Sequence, residues 1–432
     1  MTGIEQSRNK PQLRFPEFEE EWVEKKLGDI TSKIGSGKTP KGGDKVYLKQ
    51  GIHFIRSQNV INDRLILDET HISDKTHSEM KGSKVFANDI LLNITGGSIG
   101  RSCVVPNDFI EGNVNQHVSI IRLKKDNPKF LQSILSSWRG QKLVFQGMTG
   151  SGREGLNFES IKGFKFTIPT PPEQTKIANF LTAVDKRINL LQKKKAELEQ
   201  YKKGVMQRIF VLNYDSKNVL NHDSKDLHDD HDLRNQEIKN QGNQEYQAKS
   251  RFRLRFKQDD GSDFPDWEEK KLGEVSSITT GSSNRQDSGL DGEYTFFDRS
   301  EDIRTSNIYL FDGEAIIVGG EGSDFVPKYF VGKFDLHQRS YAIMNFKNAS
   351  GMFLFYYIHY FRKYFLSQAV GSTVKSLRLP MFQKMPISLP CIPEQQKIAN
   401  FLSTIDKSIE KLGKQIEQSQ EWKKGLLQKM FV

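Results

Sequence analysis

The chain carries one sequence twice. Residues 171–211, PPEQTKIANFLTAVDKRINLLQKKKAELEQYKKGVMQRIFV, align without a gap on residues 392–432, IPEQQKIANFLSTIDKSIEKLGKQIEQSQEWKKGLLQKMFV, at a constant offset of 221 with 20 of 41 positions identical. A second match precedes each copy: LRFPEFEEEWVEKKLGDI at 13–30 against LRFKQDDGSDFPDWEEKKLGEV at 254–275. The stretches between are much less alike, although NDILLNITGGSIG and NVNQHVSIIRL have faint counterparts in GEAIIVGGEGS and LHQRSYAIMNF. A repeat of this length makes each copy a structural unit, so the chain is a tandem duplication. Constant edges around divergent middles describe one scaffold that presents two different surfaces.

Each constant edge reads as a long helix. Pro172 and Pro393 suit a first helical turn, where a missing N–H costs nothing, and Glu173 and Glu394 complement the helix dipole. An apolar stripe then runs Ile177, Leu181, Val184, Ile188, Leu191, Leu198, Val205, Ile209, interrupted by Lys195 and Lys202. In the second copy it runs Ile398, Leu402, Ile405, Ile409, Leu412, Ile416, Leu426, Met430, interrupted by Ser419 and Lys423. Such a heptad pattern predicts a coiled coil. Two such helices in one chain pair most simply with each other, antiparallel, because copies related by a pseudo-twofold run equivalent helices in opposite directions. Gly204 and Gly425 are expected to end or bend the helices. Trp22 and Trp267, matched between copies, are expected to be packing anchors.

Composition narrows the function. The net charge of +10 is uneven: +6 over 1–170 and +5 over 171–211, but 0 over 251–391. A basic first half fits an anionic partner such as nucleic acid. MFLFYYIHYF at 352–361 is too short to span a bilayer and reads as a core helix. The N-terminus has no apolar signal segment, and two cysteines, Cys103 and Cys391, form no disulfide framework, so a cytoplasmic protein is expected. Residues 212–250, rich in Asn, Asp and Gln, read as a flexible polar linker. His222, His228, His231 and Asp229 fall in it with no scaffold to make them a metal site.

Two glycine-rich stretches suggest nucleotide chemistry and fail on their context. GSGKT at 35–39 lacks the first glycine of a P-loop, since Ser32 stands there, and Pro40 with Gly42–Gly43 follows where a helix should start. GSGREG at 150–155 has the letters of a dinucleotide fingerprint, but LNFESIKGF after it is no convincing helix. The second copy keeps neither motif, reading TTGSSNRQDSG and GSTVKS. No zinc, metalloprotease or nucleophile-elbow motif is present, nor the N/D-P-P-aromatic tetrapeptide expected of an amino-methyltransferase. His53, His117 and His359 read as satisfied core or surface histidines. The chain looks non-catalytic.

A duplicated unit with constant helices and two variable globular regions resembles the specificity subunit of type I restriction–modification systems. GSGKTP…GIHFIRSQNV (35–60) resembles the signature that opens a target-recognition domain, and DILLNITGGSIG…NVNQHV (89–118) its central segment. TPPEQTKIANFL and CIPEQQKIANFL resemble the motif that begins the conserved helices. The second copy departs from the opening signature, as another recognition-domain subfamily would. The resemblance implies a bipartite DNA site, each half read by one domain across a spacer set by the helices. It implies two modification subunits that carry S-adenosylmethionine, restriction subunits that bring ATP and Mg²⁺, and no cofactor on this chain.

The expected architecture is therefore α+β: two tandem target-recognition domains, 1–170 and 251–391, joined by helical spacers 171–211 and 392–432 in an antiparallel coiled coil, with the linker at 212–250. DNA binding needs phosphate contacts for affinity and base contacts for sequence. Candidates are Lys38, Lys41, Arg56, Arg101 and Arg153 in the first copy, and Arg285, Arg299, Arg339 and Lys375 in the second. Singly each is an ordinary surface charge; together, in loops on a rigid scaffold, they form a binding set. The rival readings are an ATPase using GSGKT, which ATP binding by the isolated chain would support, and a coiled-coil scaffold that ignores DNA.

Overall fold

Each repeat closes on itself by pairing its first strand with its last. In the computed structural model, Val23–Lys26 runs antiparallel to Lys165–Ile168, and Glu268–Lys271 likewise to Pro386–Leu389. The structure describes residues 10–61, 63–149, 155–210, 254–300 and 302–431. The linker 212–250 with its histidines lies outside the described residues, as does Arg153.

The chain divides into two units, one holding the chain up to Lys193 and from Gly413 on, the other holding Lys194–Leu412. In the first unit, Thr31–Ser36, Val118–Leu123, Ile90–Asn93 and Ser102–Val104 form a four-stranded antiparallel sheet. A second sheet orders His71–Ile72, Ile52–Ile55, Gly112–Val114 and Lys84–Val85, with Ile52–Ile55 and Gly112–Val114 parallel. In the second unit the corresponding strands merge into one six-stranded sheet. Its centre is a pair of nine-residue strands, Phe311–Gly319 and Lys328–Leu336. Gly313 and Gly332 face each other across that pair with φ of 133° and 131°, a backbone region costly for any side chain, so glycine lets the long strands bend.

Helices pack against one sheet in each unit. In the first unit Pro128–Ser136 begins with Pro at its first turn, and the Asn127 side chain accepts from the N–H groups of Lys129 and Phe130. Its counterpart, Gly351–Tyr360, is the apolar run read as a core helix, with Phe353, Leu354, Tyr356, Tyr357 and Ile358 buried. Phe158–Lys162 is a short helix capped by Asn157, although the sequence there promised none. The local cap supplies what a five-residue apolar pattern cannot show.

The long helices span Pro171–Phe210 and Ile392–Met430 and run through Gly204 and Gly425 without ending. A helix interior tolerates glycine at about 1 kcal/mol when packing along the rest of its length outweighs the loss. In the first unit, Ile177, Leu181, Val184 and Ile188 share a core with Trp22, Phe130, Leu426, Met430 and Phe431. In the second, Val205 and Ile209 share one with Ile398, Leu402, Ile405, Phe353 and Tyr357. Leu412 is buried, and Leu191, Leu198, Ile409 and Ile416 are half-buried. Each unit thus holds the start of one long helix against the end of the other.

Two of the lysines that interrupt the apolar stripes, Lys202 and Lys423, hold reciprocal ion pairs, whereas Lys195 pairs with Glu199 on its own helix. Lys423 Nζ lies 2.8 Å from Asp185 in the first unit, and Lys202 Nζ lies 2.6 Å from Asp406 in the second. Asp185 and Asp406 are equivalent repeat positions, as are Lys202 and Lys423, so one interaction is made twice with its partners exchanged. Each domain adds a group of its own. Asp63 comes within 2.6 Å of Lys423, and the Tyr356 hydroxyl donates to Asp406 at 2.7 Å. Burial raises the Asp63 pKa, but Lys423 and the donors Gln132 and Ser136 outweigh it and hold the carboxyl below its usual value. Burial dominates at Asp185, whose pKa is raised.

Candidate nucleic-acid interface

The E-Q pair at the head of each long helix is a double clamp. Glu173, fully buried, accepts from Arg14 Nε and Nη2 at 2.8 Å each and from the Trp22 indole at 3.2 Å. Glu394 repeats this with Arg255 Nε at 2.8 Å, Nη2 at 2.7 Å and Trp267 at 3.1 Å. Gln174 accepts from the Asn127 N–H and Gln395 from the Ser350 N–H, both at 2.7–2.8 Å, tying the helix to the cap of the domain helix. Trp22 and Trp267 are hydrogen-bonded as well as packed. Sequence reasoning passed over Arg14 and Arg255, although both stand in the repeated LRF.

Above these fixed bases, the loops of each domain are laced by one backbone pattern. In the first domain the Asn115 N–H donates to Ile55 (3.0 Å), Ile94 to His117 (3.0 Å) and Leu156 to Ile94 (2.9 Å). In the second the His337 N–H donates to Phe297 (2.9 Å), Gly320 to Arg339 (2.8 Å) and Leu377 to Gly320 (2.7 Å). The GSGKT loop begins at the same structural point as its partner loop. Any Cβ on Gly37 would overlap the Val114 carbonyl, and one on Gly281 the Leu336 carbonyl. These glycines exist for close backbone approach, and no phosphate-binding helix follows. A short 3-10 turn at Gly43–Val46 comes next.

In the first domain Lys38, Lys41 and Arg101 are exposed. Thr39 bonds Gln116, Gln116 Nε2 lies 3.2 Å from His117 Nε2, and His117 Nδ1 lies 2.6 Å from Thr95 Oγ1. His117 is therefore satisfied, whereas His53 lies against His71 in a tilted ring contact at 4.6 Å with its Nδ1 unpartnered, against expectation. Paired strands place these two rings side by side. Arg56 is half-buried. It donates to Asp68 at 2.9 Å and Thr70 at 2.8 Å, and Asp68 also accepts from Gln58 and Asn59. Burial raises the Asp68 pKa, but the bonds from Thr70, Asn59 and Arg56 hold it far below the carboxylate range.

In the second domain the candidates come together. Arg299 and Arg339 both bind Glu321, the latter at 2.8 Å. Lys375 is exposed and lies in register with Gly322, the next residue. Arg285 stands 3.6 Å from Asp298, the residue before Arg299. Burial, with Arg299 and Arg339 nearby, lowers the His337 pKa despite the opposing Asp298. The patch carries more positive than negative groups, although the domain sequence is neutral. Glu321 went unnoticed in the sequence because an isolated acid in GGEGS gives no sign of the arginines that fold onto it. His359 is half-buried in the core helix, away from these loops. Among the described residues no group of three or more His, Cys, Asp or Glu could hold a metal ion, and no helix is long and apolar enough to cross a membrane.

The comparisons with known proteins agree with this arrangement. The family model for the type I restriction modification DNA specificity domain matches twice, over residues 19–200 and 265–418. The chain is 31% identical over 153 residues to the Escherichia coli type I restriction enzyme EcoDI specificity subunit, covering 35% of this chain and 34% of that protein. It is 22% identical over 439 residues to a putative type I restriction enzyme MjaX specificity subunit of Methanocaldococcus jannaschii, covering 95% and 93% of the two chains. In fold it is similar to the S subunit of a type I restriction-modification system from M. genitalium, with a TM-score of 0.61, 14% identity, and coverage of 98% and 99%. With both halves matched, each around the same laced loops and clamped helix, the chain belongs to the type I restriction modification DNA specificity family.

Proposed function

We propose that this chain is the DNA specificity subunit of a type I restriction–modification complex, and that each domain reads one half of a bipartite site. The observation that carries this reading is the paired scaffold: one backbone lacing, built twice, with different side chains at each mouth. Lys38, Lys41 and Arg101 in the first domain, and Arg285, Arg299, Arg339 and Lys375 in the second, supply cations toward DNA. Arg56 serves as a strut for its loop through Asp68. The long helices set the distance between half-sites. Modification subunits, two per complex, carry S-adenosylmethionine, and restriction subunits bring ATP and Mg²⁺, so the chain reads sequence and performs no chemistry.

The test is to express the chain with its modification subunit in a methylation-free host and sequence the methylated bases. An asymmetric bipartite motif with a fixed spacer is expected. Methylation without a motif, or ATP bound by the isolated chain, would contradict the reading.

A further inference from the structure

We infer that Glu321 is a specificity-determining residue, holding Arg299 and Arg339 as an oriented fork that reads guanine in the half-site of the second domain. This rests on the reading of the chain as a DNA specificity subunit.

Three observations converge on Glu321. Its two oxygens are divided between the arginines: Oε1 accepts from Arg339 Nη1 at 2.8 Å and Oε2 from Arg299 Nη1. Its side chain is only 16% exposed, whereas Arg299 and Arg339 are 51% and 59% exposed. Among the described residues neither arginine gives another side-chain hydrogen bond. The carboxylate is therefore spent on orientation, and each guanidinium keeps Nε and Nη2 for a ligand.

The backbone fixes the fork as well. A Cβ on Gly319 would press on Arg299 Cα at 3.2 Å, and one on Gly320 would meet the Arg339 carbonyl oxygen at 2.6 Å. The glycine pair thus admits both arginine backbones against the strand that delivers Glu321. Phosphate binding needs charge more than orientation, and an acid beside it weakens the attraction. Bidentate recognition of the guanine O6 and N7 needs a planar donor pair held in place, and a pre-oriented arginine loses less entropy on forming it. Nearby, the exposed Lys375 can take the backbone contact.

The first domain shows what the feature is worth. Its equivalent positions, fixed by the same backbone lacing, are Thr95 and His117, joined by a 2.6 Å hydrogen bond. No carboxylate and no arginine occupy them. The cationic fork is therefore a property of the second domain, laid on a scaffold that both share.

The experiment uses the complete subunit assembled with its modification partners and reads methylated sites by sequencing. Arg339→Lys and Arg299→Lys keep the charge and remove the fork. At least one should lose about ten-fold or more of its discrimination at a guanine in one half-site. Glu321→Gln, nearly the same shape, should lose part of the discrimination at that same base. The other half-site stays unchanged in all three, which shows that the variants fold and assemble. A half-site untouched by the three variants, a uniform weakening over all sequences, or a second half-site without guanine on either strand overturns the inference alone. A wild-type complex that marks no sequence overturns it together with the specificity reading.

Discussion

At the mouth of the first domain Thr95 meets His117 through a hydrogen bond, and at the mouth of the second Glu321 meets Arg339 through an ion pair. The backbone groups beneath are the same: Ile94 donates to His117 as Gly320 donates to Arg339. The sheets differ more, two four-stranded sheets against one of six. What stays constant is the lacing of the loops and the clamp at the helix head. A reading surface can therefore be exchanged without disturbing the parts that hold it.

The clamps give the strongest way to break this comparison. Glu173→Ala removes the carboxylate that the half-buried Arg14 and the Trp22 indole share, and Glu394→Ala removes the one shared by the half-buried Arg255 and Trp267. Each should cost about 3–5 kcal/mol of stability, because a buried pair is broken and one charge stranded. Urea melts of the two variants should show similar losses. A large loss in one and none in the other would mean that the helix heads are not equivalent.

The reciprocal ion pairs sharpen it. Lys423 neutralises two carboxylates, Asp63 and Asp185, whereas Lys202 has Asp406, which is 38% exposed. Lys423→Met should therefore destabilise by about 2–3 kcal/mol and Lys202→Met by less than about 1 kcal/mol, measured by the same melts. Equal losses would place the two pairs in equal surroundings, contrary to the structure.

Smaller effects follow at the mouths. Lys38→Ala should lower DNA affinity for all sequences alike and reduce the salt slope by about one, with ATP handling unchanged. Binding titrations at several salt concentrations check this, and ATP binding lost in the variant would restore the nucleotide reading.

The smallest effect is in pH. Burial, the largest influence on each, holds His53, His337 and His359 below the ordinary histidine value of 6.5. A base depressed in the folded state binds more protons when unfolded. Its stabilising effect is complete above 6.5 and is lost as pH falls below that value and through the lowered folded-state value. Two of these histidines lie in the second unit and one in the first, so the second should weaken more on acidification. Hydrogen exchange of both units at about pH 7.5 and 5.5 checks the order.

The helices, the duplication and the core run 352–361 were legible because helical periodicity is local and the repeat confirms it. The loop candidates were legible as a set but not one by one. Arg56 looked like Arg101 in sequence, and only the fold shows that it is held by Asp68 and Thr70. Lys202 and Lys423 looked like breaks in a heptad, since their partners Asp406 and Asp185 lie about two hundred residues away. Glu321 was invisible because its partners, Arg299 and Arg339, stand 22 and 18 residues away with nothing local to mark the pairing. Local pattern identifies the elements, whereas the polar contacts that orient a site join residues far apart in the chain.

The exchange of Asp185–Lys423 for Lys202–Asp406 implies that a second copy of the first helix could replace the other helix, keeping both ion pairs and the apolar seam. Residues 1–211 expressed with the modification subunit should then form a twofold dimer, which presents its reading surface to the two strands in inverted orientation. Sequencing the methylated bases tests this directly. An inverted repeat of the half-site read by the first domain is the predicted result. A direct repeat, or an asymmetric bipartite site, would contradict the account.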